Sequence, residues 1–364
     1  MNNKFFFILL IFLFVSCKHT EEKAIEVVSL TDNLTGKAVL NDLFDEFEFI
    51  SLETTNESIF GRIKKLIIFD NKYYIHDSQL KKIFVFQMDG TFIQTIGNIG
   101  NGPGEYNHLE DFIIDEENNR IIILGFPSKV YIYDLYGKFI QQKTFMSLPV
   151  WSICSYKNGY ICSNNHQSFS QNNTSLIYLL DKDFNIKNSV CNTSINNELP
   201  FFVSHPFFKD GNNIYYFDNI NSRLYKIDTE NPEKLEYYSF VFTSPIPLDV
   251  ISDPQKFIEN QGDYCFFNNA YLLNNLFWAS FVNKGNLCVI VKDLKSNKQF
   301  TAKYSDWYPS ILSNHNGFFY SAIYADFIIE GDAIIPNAKW TTKYPVDLDS
   351  NPIILRFKPK DVLK

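Results

Sequence analysis

Long apolar runs are scarce in this sequence. Residues 5–14 form an apolar stretch of ten, short of the ~20 that cross a bilayer core of ~30 Å as a helix, so the stretch does not read as a membrane span. Cysteine is scarce too. Six occur in 364 residues and five of them follow Cys17, an odd, scattered set that is no disulfide framework. Cys154 and Cys162 flank Lys157-Asn158-Gly159. A three-residue loop there would set them opposite each other on a hairpin; two buried thiols are the other reading, since free cysteine is commonly a core residue. Blocks of lysine or arginine are missing and the net charge is −8, which argues against nucleic acid and an anionic membrane surface as partners. After residue 40 no stretch sustains a 3.6-residue apolar period, so the body of the chain is not helical. Also missing are His-Glu-x-x-His, paired Cys-x-x-Cys and Gly-x-Ser-x-Gly. Residues 97–104 are Gly-rich but hold no Gly-Lys-Ser/Thr and open no helix, which argues against a phosphate cradle. Their glycines and Pro103 serve instead to shape a chain crossing.

What the chain does have is aromatic residues, 17% of the total and mostly Phe and Tyr. These favour strands, and Tyr suits binding faces that are part apolar and part wet. The N-terminus has the layout of a secretory signal: Lys4, the apolar stretch, then Phe14-Val15-Ser16-Cys17, with a small residue before the cysteine. This resembles the lipobox of bacterial lipoproteins, in which the cysteine is acylated and becomes the first residue. The resemblance implies a signal peptide over residues 1–16, lipidation at Cys17, a tether over 17–44 and attachment to a membrane through the lipid. An ordinary signal peptide that happens to hold a cysteine is the alternative. The acidic pair in Lys18-His19-Thr20-Glu21-Glu22 resembles the surface-export tether of Bacteroidetes lipoproteins. The implied place is the outer membrane, facing the periplasm or the surface.

The rest of the chain repeats. Ile83-Phe84-Val85-Phe86-Gln87-Met88-Asp89-Gly90 aligns without a gap on Val130-Tyr131-Ile132-Tyr133-Asp134-Leu135-Tyr136-Gly137 at an offset of 47, and Asp134, Asp181 and Asp228 continue at that spacing. Each unit reads as strand, polar turn, strand, with Asp or Gly supplying left-handed backbone. A second hairpin precedes each unit, for example Leu66–Phe69 and Tyr73–His76 around Asp70-Asn71. Four short antiparallel strands per 40-odd residues make a propeller blade. Blades start near 64, 110, 151, 206, 264 and 316. The expected architecture over 45–364 is therefore an all-β, six-bladed β-propeller of four-stranded antiparallel blades, expected to stand as a monomer. The sixth blade runs out of chain after Ile353-Ile354-Leu355-Arg356-Phe357, and residues 46–52 alternate as a half-buried strand. They are expected to complete that blade and close the ring, which removes exposed edges. Two β-sandwiches are the rival organisation; the unbroken 47-residue spacing across 83–228 argues against a boundary there.

Two segments, His76-Asp77-Ser78-Gln79-Leu80-Lys81-Lys82-Ile83-Phe84 and Phe217-Asp218-Asn219-Ile220-Asn221-Ser222-Arg223-Leu224-Tyr225, resemble the NHL repeat core. Gly102-Pro103-Gly104-Glu105-Tyr106 adds a segment typical of the six-bladed β-propeller lipoproteins of Bacteroidetes. The resemblance covers roughly residues 45–358, with Phe184 a departure where glycine would follow the turn. It implies a fold and an address, and no reaction.

Propeller geometry gathers candidate site residues on the channel face where inner strands start. They are Arg62, His108, Trp151, His205 and Tyr264, with His76, Asp77, Phe126, Asn164, Asp218, Asn219 and Trp307 beside them. Rings mixed with His, Asn and Arg suit a peptide, a glycan or an envelope protein partner. The expected function is thus non-enzymatic binding, with no catalytic residue, cofactor or metal called for. The alternative is a propeller enzyme, a metal-dependent lactonase or hydrolase or a lyase, with a divalent ion held by Asp77, Asp218 and Asn219. Against that, Asp77 and Asp218 sit where NHL repeats keep a loop-bracing aspartate.

Overall fold

The computed structural model describes residues 22–30, 34, 36–126, 129–144, 150–166, 175–192, 205–210, 213–296, 298–304, 309–331, 335, 337–341 and 343–363. Cys17, the expected signal and Trp307 lie outside the described residues.

Six small sheets stand in a ring as a six-bladed β-propeller. Blade 1 consists of Ile63–Phe69, Lys72–Asp77, Lys82–Gln87 and Phe92–Ile96. Blades 2 and 3 repeat that antiparallel order from Asp111–Asp115 and Ser152–Tyr156. Blades 4, 5 and 6 start at Phe207–Asp210, Cys265–Leu273 and Ser313–His315. The repeating aspartates brace the turns between third and fourth strands. Asp134 Oδ1 accepts from the Tyr136 and Lys138 amides, and Asp181 Oδ1 from those of Asp183 and Asn185. Phe184 follows that second turn with φ 65°. A left-handed φ is costly for a bulky residue, and it is offset here because the ring is buried and stacks on Tyr160 at 4.4 Å.

The ring closes as expected. Phe44–Ile50 pairs antiparallel with Ile353–Pro359, with Ile354 opposite Ile50 and Arg356 opposite Glu48. The strand is more buried than its alternation predicts, because Lys339–Thr341 adds a parallel strand outside it. Glu48 is thereby enclosed and meets Arg356 at 3.0 Å and Lys339 at 3.1 Å. Asn351 locks the crossing into blade 1: its Oδ1 accepts from the Phe60 amide and its Nδ2 donates to the Glu53 and Ser58 carbonyls.

Two details differ from expectation, and one choice left open, that between a cysteine pair and two buried thiols, falls to the thiols. Blades 4, 5 and 6 have a fifth strand each. The stretch expected to be a tether contains Glu22–Leu30, a strand laid parallel on Leu235–Phe242 of blade 4, and Lys37–Ala38, which pairs with blade 5. Val28 and Leu30 enter the core there, and an amphipathic edge of this kind covers apolar surface that a tether would leave wet. Finally, the blade 3 hairpin turns on two residues, with Tyr156 opposite Gly159, so Cys154 faces Ile161 and Cys162 faces Ile153. Side chains alternate sides along a strand, so the cysteines lie on opposite faces of the sheet, and both are free and buried.

The extra chain between blades 4 and 5 forms short helices, Leu248–Ile251 and Pro254–Asn260. Among the described residues no helix is long and apolar enough to cross a membrane.

Candidate functional site

Connections between second and third strands and between successive blades lie on one face of the ring. On it, Asp77 and Asp218 are fully buried. Asp77 Oδ2 accepts from the Gly61 and Arg62 amides at 2.7 and 2.8 Å, and Oδ1 from those of Gln79 and Leu80 at 2.7 and 2.6 Å. Four amide donors use up the acceptor positions of a carboxylate, so Asp77 ties the blade 1 entry to its own loop. It leaves Arg62 exposed at the rim. Asp218 plays the same part in blade 4 with different donors. Its Oδ1 meets His166 Nε2 at 2.8 Å and accepts from the Asn221 amide, while its Oδ2 accepts from Asn221 Nδ2. Burial alone would raise the Asp218 carboxyl, but His166 and Asn221 together outweigh it and hold the carboxyl below its ordinary value. Among the described residues no group of three or more His, Cys, Asp or Glu converges as metal ligands.

Three of the expected residues make a continuous row. His108 lies 6.2 Å from the Phe126 ring, and Phe126 lies 5.9 Å from Trp151. His108 and Phe126 are exposed and Trp151 is half-buried. The row runs from blade 2 to the entry of blade 3. Tyr264 stands apart from it, 6.3 Å from Phe257 of the insertion helix.

His76 and His205 meet a different group, at the top of the channel. Lys65 Nζ pairs with Asp111 Oδ1 at 2.6 Å, and Asp111 Oδ2 accepts from the Ile153 amide at 3.0 Å, so one carboxylate joins blades 1, 2 and 3. His205 reaches over from the blade 4 entry. Its Nε2 bonds the Lys64 carbonyl, and its Nδ1 faces Asp111 Oδ1 at 3.9 Å. His76 packs edge-on against Phe112 with 6.4 Å between ring centroids. Burial, then the nearby Lys64, His205 and Lys65, hold His76 well below the ordinary imidazole value. Burial and then Lys65 do the same to His205.

Beneath this group lies a cavity of about 170 Å³ lined by residues on the inner strands of blades 1 to 4 and their approaches. Cys154 lines it, its thiol pushed up by burial.

Sequence reasoning missed Asp111, Lys65 and His166. Asp111 begins an inner strand, a position where a charged residue reads as a turn flank. His166 sits in a left-handed loop with φ 62°, where nothing local points to Asp218.

The family described as Domain of unknown function (DUF4934) matches residues 22–358. Two solved structures share the fold. One is a protein described as exported, from Bacteroides fragilis NCTC 9343, 16% identical over 94% of this chain and 100% of that one, with a TM-score of 0.72. The other is a member of the DUF4221 family from Bacteroides vulgatus ATCC 8482, 10% identical over 87% of this chain and 98% of that one, with a TM-score of 0.51. No curated protein matches the sequence.

Proposed function

This chain belongs to the DUF4934 family, and from that premise we propose that it is a binding protein of the cell envelope that takes a peptide, glycan or partner protein on the channel face. The ring row His108, Phe126 and Trp151 is the observation that carries the reading. A row of exposed and half-buried rings, with a histidine at one end and Arg62 on the same rim, suits a ligand that is part apolar and part polar. Asp77 and Asp218 support binding over metal-assisted chemistry, since each is committed to its own loop in blades that stand opposite each other.

The lipobox-like Phe14-Val15-Ser16-Cys17 and the exported Bacteroides fragilis protein of the same fold support an envelope address with a lipid anchor at Cys17. The NHL-like segments fit the same class of lipoprotein.

The test is capture from detergent-solubilised envelopes with the full chain, followed by peptide and glycan arrays. Phe126→Ala should lose the captured ligand while melting like the parent. Turnover of a substrate, abolished by channel substitutions, would overturn the reading. Cys17→Ser should release the protein from membranes.

A further inference from the structure

The strand Glu22–Leu30 is fixed to the outside of blade 4 along its length. Val28 lies beside Phe240 and Leu30 beside Phe242, both pairs turned into the core shared with blade 5. Glu26 pairs with the buried Lys292 of blade 5 at 3.1 Å. Peeling the strand away would wet Val28 and Leu30, so Glu22 is held on the ring. Cys17 stands five residues before it. Five Cα steps of ~3.8 Å span at most about 19 Å. A folded body of this length has a radius of gyration of about 20 Å and is roughly 50 Å across. An anchor at Cys17 therefore cannot let the ring turn freely. The part it brings to the bilayer is the outer edge of blade 4.

That edge is suited to lipid. Val27 lies beside Ser239 and Ser29 beside Val241, so these four share the sheet face turned away from the blade 5 core. Val27 is 62% exposed and Val241 46%, and Ile25, in the bulge between Ala24 and Glu26, is 42% exposed. Ser29 and Ser239 carry no charge to desolvate. We propose that the outer edge of blade 4 is a bilayer-docking surface, with Ile25, Val27 and Val241 set into the headgroup boundary and the short link to Cys17 holding them there. This rests on the lipid anchor at Cys17 proposed above. The contact is apolar and needs no anionic lipid, in keeping with a net charge of −8. Blade 1 stands opposite and points away from the membrane, with Ile93 exposed on its outermost strand. The ring axis then lies along the bilayer, and the channel face looks sideways.

The experiment uses the lipidated full chain, reconstituted into vesicles of phosphatidylcholine and phosphatidylethanolamine that contain doxyl-labelled lipid. Val27→Cys and Ile93→Cys are labelled with a fluorescent maleimide, which buried thiols such as Cys154 do not take up; Ser29→Cys serves if the Val27 variant does not fold. Quenching should be about threefold stronger at 27 than at 93, as burial by ~5–10 Å on one side of the ring implies. Lengthening the link by about twenty Gly/Ser residues should lower that ratio while the protein stays on the vesicles. Equal quenching at the two positions in vesicle-bound protein would overturn the docking and leave the anchor standing. A ratio unchanged by the longer link would overturn the link as the restraint. A Cys17→Ser chain that binds the vesicles as tightly as the parent would overturn the anchor, and the docking with it.

Discussion

His205 in the approach to blade 4 donates a hydrogen bond from Nε2 to the main-chain carbonyl of Lys64 in blade 1. These blades stand opposite each other in a ring of six, so the bond spans the axis and caps the channel. Lys64 is available because the pairing of Ile63–Phe69 shifts between Ile63 and Lys65. The bulged residue lies outside the ladder register and can turn its carbonyl to the channel. His205→Ala should leave that carbonyl without its partner and cost about 1–3 kcal/mol, measured as a lower urea midpoint with unchanged slope.

Acid should weaken the fold through the histidines before it reaches the carboxylates. His76 and His205 are held well below 6.5 when folded, by burial first. Unfolded, they take up protons once pH falls beneath about 6.5, so the unfolded state binds more protons and stability drops as pH is lowered. The slope is about 1.4 kcal/mol per pH unit for each. Urea midpoints at pH 7 and pH 5 should differ accordingly, and His76→Gln should reduce the difference. Asp218, whose folded value is depressed, adds its loss only as pH falls through the carboxylate range near 3.8. A midpoint that stays constant from pH 7 to 5 would show that the imidazoles are not buried neutral.

Two truncations separate the roles of the N-terminal strands. Deleting residues 18–30 removes Val28 and Leu30, each 3% exposed, from the core and should cost several kcal/mol at about 1.5–3 per buried side chain. Deleting 18–52 also removes the strand that closes blade 6 and should abolish the cooperative melt. Equal melting temperatures for the two would show that the ring closes by another route.

Gly90 offers a sharper probe of closure. Its φ is +87° and an added Cβ would fall 1.9 Å from the Ser51 carbonyl oxygen. Gly285 has φ +76° and open space around it. Gly285→Ala should cost about 1 kcal/mol through backbone strain alone. Gly90→Ala adds a clash with main chain and should cost at least about 2 kcal/mol more. Thermal melts of the pair check it.

Among the described residues Cys154, Cys162, Cys191, Cys265 and Cys288 are all buried and none is in a disulfide. Ellman's reagent should leave these five unmodified in the folded protein and label them in guanidinium without prior reduction. Resistance of Cys154 and Cys162 to labelling until a reductant is added would overturn the two-residue turn.

Much of the fold was legible because its signals are local. The spacing of Asp134, Asp181 and Asp228 marks turns that each aspartate braces by its own amides, and the alternation near Phe47 and Phe49 pointed to the missing strand of blade 6. The candidate site was legible only where neighbours in a loop serve each other, as at Asp77. The hidden parts were those in which one residue decides a register or a partner comes from far away. One residue fewer in the blade 3 turn moved Cys154 and Cys162 to opposite faces. Residues 22–30 hold Ala24, Ile25, Val27, Val28 and Leu30, and their partner is set only when blade 4 offers its edge.

By itself, then, the sequence determined the hairpins, the number of blades and the strand that shuts the ring, because strand pairing between neighbours follows from a period of two and from turn chemistry. Only the tertiary structure decided that His205 would cap the channel on Lys64, 141 residues away, and that Lys65, Asp111 and the Ile153 amide would meet beneath it. Those encounters depend on where six blades converge on one axis, and the burial that makes each unpaired polar atom costly exists only once the ring has closed.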